Sequence, residues 1–428
     1  GRTSMDNYLL GPHDDPSVPD GSGPRRGTGD AAPYGDAGSY GDAGSYRDAG
    51  SYGDAGSYGG SGPRRGTGDA ARYGGAGSYG GPGSYGGSEL PGTPPEAAAG
   101  AAIVWDLARG VWRFAALNAF IQLGCPRELA DGPLTVRELA WRCGAHEPSL
   151  ARVLRSVATE GLIRTVADGT YELTEAGTVL CRSGSPRYVV PFCAEEACWH
   201  ALAALPETVR TGRSPIVERF GSLYGYLAGD LDAARLFSDF MVARSRPLAA
   251  RVAAQYDFSR IRTLVDVGGG NGAFLAAILG AHEHLRGMLL DLENVLAGAH
   301  DFLADQGVSD RCEFIAGDFF ETVPPGADAY LVANILHNWQ DADALRILRA
   351  VRAATPDRAR ALLVDAILPD DDSPHFAKDM DIRMLSLFGQ GRERGRAEYF
   401  SLLKEAGFRV ERVTELLFGI SLIEASPF

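Results

Sequence analysis

The sequence predicts an α/β protein in which a mainly helical domain precedes a mostly parallel β-sheet. Three observations predict this fold class. Strand-like and helix-like runs alternate from residue 261 to the end, as they do in consecutive βαβ units. A glycine-rich turn at 268–272 separates the first of these strands from its helix. Between residues 103 and 173, three helical patterns are followed by a β-hairpin pattern.

The first 98 residues are of low complexity. The hexapeptide GDAGSY recurs between residues 35 and 58, and the ten residues GPRRGTGDAA occur twice, at 23–32 and 63–72. Such repeats carry no apolar face whose burial would offset the entropy cost of folding. We therefore expect residues 1–98 to be a disordered Gly/Ser/Tyr-rich tail, and we assign it no catalytic role.

Residues 99–185 have the pattern of a winged helix. A long apolar helix with several aromatic residues is expected at 103–123, and Thr135 with Glu138 forms a capping box for the next helix. A third helix at 149–160 leads to a hairpin. Winged helices often bind DNA, but the recognition helix here offers only Arg152 and Arg155. The pattern therefore favours a dimerisation domain over a DNA-binding domain.

Residues 186–260 are predicted to form an all-helical linker that contributes to a substrate pocket. Tyr224, Phe240 and Met241 are aromatic or flexible apolar side chains suited to contact a flat substrate. Packing between helices explains such residues equally well, so both interpretations stay open for this segment.

The third predicted domain, residues 261–428, begins with LVDVGGGNGAF at 264–274. Gly268, Gly270 and Gly272 let the chain turn sharply and let a ligand approach main-chain N–H groups. A turn of this kind after the first strand is typical of nucleotide-type pockets and serves NAD, FAD or S-adenosylmethionine. Asp266, inside the strand end, favours S-adenosylmethionine.

Two further acids strengthen that preference. Asp291 ends the second predicted strand, where a carboxylate can bind the two hydroxyls of a ribose. Asp318 follows the third strand, at 312–316, and can accept a hydrogen bond from the amino group of an adenine. Phe319 can pack on the face of the same ring. A dinucleotide site has no special need for Asp318.

The fourth strand, predicted at 329–335, runs into His337. A base at the carboxyl end of this strand can deprotonate a phenol, which is a poor nucleophile at neutral pH. Asp365, at the end of a fifth strand at 361–364, and Glu393, in a loop before the helix at 397–406, can orient the imidazole. Asp341 is expected to cap the helix after His337. No His/Cys cluster has the spacing of a metal site.

Composition limits the other function classes. The net charge of −14 argues against binding to nucleic acid or to an anionic membrane. No charge-free apolar stretch approaches the ~20 residues of a membrane span, and no secretory signal opens the chain. The six cysteines form no CxxC pair, so we expect reduced thiols and a cytoplasmic protein.

From residue 99 onward the chain resembles the class I, S-adenosylmethionine-dependent O-methyltransferases of plant phenylpropanoid and bacterial natural-product pathways. The resemblance is carried by LVDVGGGNG at 264–272, GDFF at 317–320, ILHNWQD at 335–341, DMDIRM at 379–384 and GRER at 391–394. It implies a Rossmann-like seven-stranded sheet that ends in an antiparallel hairpin, and a homodimer formed through the N-terminal domain. It also implies Asp381 and Met384 in the substrate pocket.

The same resemblance implies that His337 is the base and that Asp365 and Glu393 lie beside it. Plant relatives carry glutamate where this chain has Asp365, so its carboxylate reaches one methylene less far. We therefore expect methyl transfer from S-adenosylmethionine to a phenolic hydroxyl of a polyketide-like aromatic compound. The alternatives are a relative repurposed for hydroxylation, decarboxylation or pericyclic chemistry, an NAD-dependent oxidoreductase, and a ligand-sensing winged-helix regulator.

Overall fold

The computed structural model describes residues 95–182 and 186–428. Most of the predicted tail, residues 1–94, lies outside the described residues. Residues 99–428 belong to one structural unit. None of the described helices has the length and apolar character that crossing a bilayer requires.

The N-terminal helical domain follows the predicted order. The elements are α1 (Pro95–Gln122), α2 (Cys125–Glu128), β1 (Leu134–Thr135), α3 (Val136–Cys143), α4 (Glu147–Thr159), β2 (Ile163–Ala167) and β3 (Thr170–Leu173). The capping box is present, because the Glu138 N–H donates to Thr135 Oγ1 and the Thr135 N–H donates to Glu138 Oε2. The strands form a three-stranded sheet in the order β1-β3-β2. Phe120, Leu139 and Leu154 are fully buried in the core of this domain.

Six helices connect this domain to the large sheet: α5 (Val189–Cys193), α6 (Glu196–Ala203), α7 (Leu205–Thr211), α8 (Pro215–Phe220), α9 (Leu223–Gly229) and α10 (Leu231–Gln255). The first half of α10 packs in a cluster with Phe192 and Leu223. Its second half, including Leu248 and Val252, is buried in the core against the sheet. The core around the large sheet therefore includes residues that precede the predicted domain boundary at 261.

The large sheet contains β4 (Thr263–Val267), β5 (Arg286–Asp291), β6 (Cys312–Ala316), β7 (Ala329–Ala333), β8 (Arg360–Leu368), β9 (Arg394–Gly395), β10 (Phe408–Leu417) and β11 (Ile420–Pro427). The order is β10-β11-β8-β7-β4-β5-β6, and the two-residue β9 pairs with the end of β8. Strands β4 to β8 are parallel, whereas β11 is antiparallel to both β8 and β10. The seven-stranded sheet with a terminal antiparallel hairpin is confirmed.

Helices cover both faces of this sheet. They are α11 (Ala273–Ala281), α12 (Glu293–Asp305), α13 (Asp341–Ala354), α14 (Phe376–Leu387) and α15 (Arg396–Ala406). One core, containing Leu275 and Leu303, lies against α11 and α12, and the other, containing Ile347 and Leu403, lies against α13 and α15. Because β4, β5, β7 and β8 are parallel, their carboxyl ends meet at one edge of the sheet.

Several boundaries differ from the sequence prediction. Helix α1 begins at Pro95, inside the segment 1–98 that was predicted as a disordered tail and before the helix start predicted at 103. Strand β7 ends at Ala333, because Asn334 adopts a left-handed φ of 55° and the chain then turns into a short 3₁₀ segment, Leu336–Asn338. Strand β8 continues to Leu368, since its pairing with β11 extends past residue 364, so Asp365 lies inside the strand rather than at its end. Gln340, not Asp341, is the N-cap residue of α13, and the Asp341 side chain instead pairs with arginines.

Candidate active site

A cavity of about 580 Å³ opens at the carboxyl edge of the parallel strands. The glycine loop, the segment after β7, α10 and α14 line it together. Nine of the residues predicted from sequence are in its wall: Tyr224, Met241, Asp266, Gly268, Gly270, Asp291, Phe319, His337 and Met384. Six others are not in its wall: Phe240, Gly272, Asp318, Asp365, Asp381 and Glu393.

The loop after β4 keeps side chains away from one wall of the cavity. Gly268 has a left-handed φ of 67°, and a Cβ there would lie 2.8 Å from Ile335 and 2.9 Å from Phe319. Gly269 has even less space for a side chain, because a Cβ would lie 2.3 Å from Leu289 and 2.6 Å from Asp266. The sequence prediction named only the glycines at alternate positions and did not include Gly269. The unbroken triplet GGG was the sequence signal for it.

Two buried carboxyl groups flank this loop. Asp291 accepts hydrogen bonds from the Gly270 N–H at 2.8 Å and from the Leu292 N–H at 2.8 Å, so it braces the glycine turn while lining the cavity. Asp266 Oδ2 is sealed from water and has no partner among the described residues. Burial, with a smaller contribution from Asp291, raises the pKa of Asp266 to about 7.

The aromatic residue predicted for the adenine lies in the wall, and its acidic neighbour does not. Phe319 is fully buried, and its ring lies next to Gly268. Asp318 Oδ1 accepts from the Phe320 N–H at 2.9 Å and shapes the turn after β6. The side chain of Asp318 is outside the cavity wall in this conformation.

His337 is the basic side chain predicted at this edge. It is 3% exposed and lines the cavity. Its Nδ1 lies 2.9 Å from Glu393 Oε1, a buried carboxylate. A carboxylate at Nδ1 fixes the tautomer in which Nδ1 carries the proton and Nε2 accepts one. The arrangement therefore presents a proton acceptor to the cavity.

Asp365 lies farther from the imidazole than Glu393 does. Its Oδ1 is 3.8 Å from His337 Nδ1, which is too long for a hydrogen bond. Both of its carboxyl oxygens are buried without a partner among the described residues. Burial raises the pKa of Asp365 to about 7, against the opposing effect of His337. Glu393 is therefore the orienting acid, and Asp365 is a second buried acid behind the ring.

A fully buried arginine joins the two loops that carry His337 and Glu393. Arg394 donates to the carbonyl oxygens of Leu336 and Trp339, and its Nε donates to Asp341 at 2.9 Å. The next peptide groups are also connected, since the Arg392 N–H donates to the His337 carbonyl at 2.8 Å. These hydrogen bonds fix the position of the His337 loop relative to the Glu393 loop.

Aromatic and apolar side chains form the wall opposite the glycine loop. Tyr224, Phe237 and Phe388 line it together with Met241 and Met384. Phe240 lies behind this wall, where it stacks on Phe192 at a centroid distance of 4.6 Å. Asp381 also lies behind it, and its Oδ1 accepts from the Glu393 N–H at 2.8 Å.

Several polar residues that the sequence alone did not single out also line the cavity, among them Arg244, Arg383 and Asn334. Arg244 on α10 and Arg383 on α14 present guanidinium groups, and Asn334 has a buried Oδ1 without a partner among the described residues. For the arginines a weak signal was present, since Arg383 lies in the motif at 379–384 and Arg244 lies three residues after Met241. Asn334 had none.

The cavity fits S-adenosylmethionine on the donor chemistry of its own residues. The glycine loop leaves space that a Cβ would fill, Asp291 offers carboxylate oxygens, and Asp266 keeps an unpartnered buried oxygen facing the same loop. These are features suited to a ligand with a ribose, an amino group and a flat adenine. No group of His, Cys, Asp and Glu residues within 95–182 and 186–428 could hold a metal ion.

Two family descriptions match the chain. Residues 199–409 match an O-methyltransferase domain, and residues 105–183 match an O-methyltransferase dimerisation domain. The first covers the connecting helices and most of the large sheet. The second covers the N-terminal helical domain.

Individual relatives support the same family assignment. The chain is 36% identical to a phenazine O-methyltransferase from Lysobacter antibioticus, over 76% of this chain and 96% of the relative. It is 38% identical to a mitomycin biosynthesis 6-O-methyltransferase from Streptomyces lavendulae, over 76% and 93%. An aclacinomycin 10-hydroxylase from Streptomyces purpurascens is 33% identical, over 72% and 86%.

The fold comparison leads to the same conclusion. The crystal structure of an O-methyltransferase from neocarzinostatin biosynthesis, in complex with S-adenosylmethionine and 2-hydroxy-5-methyl naphthoic acid, matches with a TM-score of 0.61 at 31% identity, over 74% of this chain and 96% of that chain. The predicted preference for S-adenosylmethionine over a dinucleotide is thereby confirmed. The chain belongs to the S-adenosylmethionine-dependent O-methyltransferases that carry an N-terminal dimerisation domain.

Proposed function

We propose that this enzyme transfers a methyl group from S-adenosylmethionine to a phenolic hydroxyl of an aromatic natural product, with His337 as the general base. The observation that carries the proposal is the 2.9 Å contact between His337 Nδ1 and Glu393 Oε1 at the wall of the cavity. It leaves Nε2 as the proton acceptor that a phenol, with a pKa near 10, needs at neutral pH.

The acceptor oxygen gains a methyl group and loses its proton. The cofactor supplies a methyl group on a sulfonium, which needs no further activation. His337 Nε2 takes the proton of the acceptor hydroxyl as that oxygen forms its bond to the methyl carbon and the carbon–sulfur bond breaks. Glu393 stabilises the imidazolium that results, because the two groups are buried and in hydrogen-bond contact. Solvent then removes the proton.

We assign the cofactor to the glycine-loop side of the cavity. Asp266, Gly268, Gly270 and Asp291 would hold it, with Gly272 beginning α11. Phe319 would contact the adenine, and Asp318 would reach the adenine amino group once its side chain turned into the cavity.

We assign the acceptor to the aromatic wall. Tyr224, Met241 and Met384 contact the space in front of His337, and flat apolar walls suit a fused-ring compound. Phe240 and Asp381 support that wall from behind. Relatives named for phenazine and mitomycin chemistry act on compounds of this kind, which supports the same substrate class here.

We also propose a homodimer formed through residues 99–185. Helix α1 exposes large apolar side chains, among them Trp105 at 61% and Trp112 at 63%. Side chains of this size are enriched at interfaces and are costly to leave in water. The match to a dimerisation domain supports the same assignment.

A second candidate is oxygen insertion, since one relative is named a hydroxylase. The two reactions are distinguished by product mass. Purified protein is incubated with S-adenosylmethionine carrying a labelled methyl group and a panel of phenolic polyketides. With a CD3 label we expect products 17 mass units heavier, because CD3 replaces one hydrogen, whereas an unlabelled gain of 16 units would support hydroxylation and contradict the proposal.

The variant His337→Ala tests the base. We expect turnover to fall by about 10²- to 10⁴-fold, while the affinity for S-adenosylmethionine, measured by calorimetry, stays within a factor of about three. His200→Ala, at an exposed position on α6, is the matched control and should retain full turnover. Turnover of His337→Ala equal to that of the unchanged enzyme would rule out the base assignment.

A further inference from the structure

Two arginines in the cavity wall stand out from the rest of its lining. Arg244 on α10 and Arg383 on α14 both contact the cavity, and each side chain is half-buried. Burial and the charge of Arg244 lower the pKa of Arg383 to about 10, and burial also lowers the pKa of Arg244. Because arginine is not deprotonated in proteins near neutral pH, both side chains are cations.

Neither guanidinium forms an ion pair in the described part of the chain, although Glu393 and Asp365 act on the charge of Arg244 from farther away. Among residues 95–182 and 186–428, no ion pair of 4.0 Å or less involves Arg244 or Arg383. Nε and Nη2 of Arg244 and Nε of Arg383 are sealed from water without an acceptor in the described part of the chain. Among the described residues, the Arg383 side chain donates a single hydrogen bond, to the weak acceptor Met380 Sδ at 3.7 Å.

Two unpaired cations at this depth are costly. A buried charge needs a partner of opposite charge or several hydrogen bonds to offset its lost hydration. Arg394, the fully buried arginine at this site, has such partners in one carboxylate and two carbonyl oxygens. A bound anion would supply the partner that Arg244 and Arg383 lack among the described residues.

The arginines lie on the acceptor side of the cavity. Arg383 is adjacent in sequence to Met384 and sits over the ring of Phe240 at 4.6 Å. Arg244 is close enough to the buried acids behind His337 to affect the ionisation of Asp365. Arg383 therefore belongs to the aromatic side of the cavity, and Arg244 lies toward the buried acids behind the base.

We propose that Arg244 and Arg383 bind a carboxylate on the acceptor, so that the preferred substrates are hydroxylated aromatic carboxylic acids. Guanidinium groups recognise carboxylates with paired hydrogen bonds and keep their charge at any physiological pH. The contact would orient the flat ring so that one hydroxyl faces His337. This inference deepens the proposed function and depends on the same acceptor site.

Wild-type enzyme tests the proposal first. Hydroxynaphthoic acids with the carboxylate at different ring positions are each compared with their own methyl ester, which has the same ring and phenol but no charge. We expect at least one acid to exceed its ester about 10- to 100-fold in kcat/KM, as charge-assisted hydrogen bonds imply. If no acid exceeds its ester, the proposal fails.

The variants Arg383→Gln and Arg244→Gln then test the residues. We expect each to reduce the acid-to-ester ratio of kcat/KM by about tenfold or more, chiefly through KM. Arg246→Gln, an exposed position two residues from Arg244, is the control and should keep the ratio. Retention of the ratio in both site variants would overturn the assignment.

Binding measurements separate this inference from the proposed function. Calorimetry of the same acids and esters, with S-adenosylhomocysteine present, reports the preference even if no methyl group is transferred. A preference for acids without methyl transfer would support the arginine site and refute the proposed reaction. Methyl transfer without a preference for acids would support the proposed reaction and refute the arginine site. A tenfold loss of S-adenosylmethionine affinity in the variants, with the acid preference kept, would assign the arginines to the carboxylate of the cofactor and refute the proposal.

Discussion

Glu393 and Asp365 differ in their distance from His337 Nδ1, at 2.9 and 3.8 Å, and this difference predicts unequal roles. Glu393→Gln keeps a hydrogen-bonding side chain but removes the charge that stabilises the imidazolium. We expect kcat to fall by about 10- to 1000-fold while KM and cofactor affinity change little. Asp365→Asn should have the smaller effect on kcat.

Steady-state kinetics of both variants, at one pH and saturating cofactor, decide the question. Glu398→Gln is a suitable control, because Glu398 pairs with Arg392 at the surface and does not touch the imidazole. If Asp365→Asn were the more damaging substitution, Asp365 would be the orienting acid.

Asp266 gives a prediction about stability and pH. Its pKa in the folded protein is raised to about 7, so between pH 4 and 7 the folded state binds a proton that the unfolded state has released. The resulting stabilisation is present at low pH and is lost as pH rises through 7. Without cofactor, Asp266→Asn should therefore be more stable than wild type at pH 8, by up to about 4 kcal/mol, with little difference at pH 4.

Urea unfolding of the cofactor-free protein at pH 4, 6 and 8 measures this effect. Asp301→Asn, an exposed substitution on α12, should give parallel stability curves for variant and wild type. A wild type more stable than Asp266→Asn at pH 8 would mean that a buried partner compensates the Asp266 charge.

At the scale of elements, the glycine loop links local conformation to cofactor binding. Gly268→Ala places a Cβ against Ile335 and Phe319 at a left-handed φ, a strain of roughly 1–2 kcal/mol before any clash. We expect S-adenosylmethionine affinity to fall at least tenfold, as measured by calorimetry. Gly280→Ala, in α11 with no atom within 4 Å of the added Cβ, should leave affinity unchanged.

Most elements could be predicted from the sequence because their local signals agree with the tertiary structure. The turn at 268–272, the capping box of α3 and the terminal hairpin depend on neighbouring residues. The end of β8 could not be predicted, because its pairing with β11 connects residues about fifty positions apart. Sequence periodicity carries no information on such pairing.

Some residues of the candidate site could likewise be predicted from the sequence, and others could not. His337 could be predicted from its place after a buried strand, and Glu393 from a family motif. Arg244 and Arg383 could not, because an arginine on an amphipathic helix is usually solvated. Which helix face turns toward the cavity depends on how α10 and α14 pack against Phe192 and its neighbours.

For the whole molecule, the exposed face of α1 predicts a dimer. Trp105→Asp combined with Trp112→Asp places two charges on that face, and we expect sedimentation analysis to change from a dimer to a monomer. Phe418→Asp, at a 66% exposed position in the terminal hairpin, should leave the dimer intact. A wild type that sediments as a monomer would refute the proposed assembly.

Helix α14 has a consequence for engineering this enzyme toward new acceptors. Its Arg383 and Met384 face the acceptor, whereas Asp381, on the same helix, holds the main chain of Glu393. Grafting the whole helix from a relative with another specificity would therefore alter selectivity and the support of the base together. Recombination that exchanges residues 383 and 384 but keeps Asp381 should separate these two effects, and it would let selectivity evolve while the proton-transfer machinery stays in place.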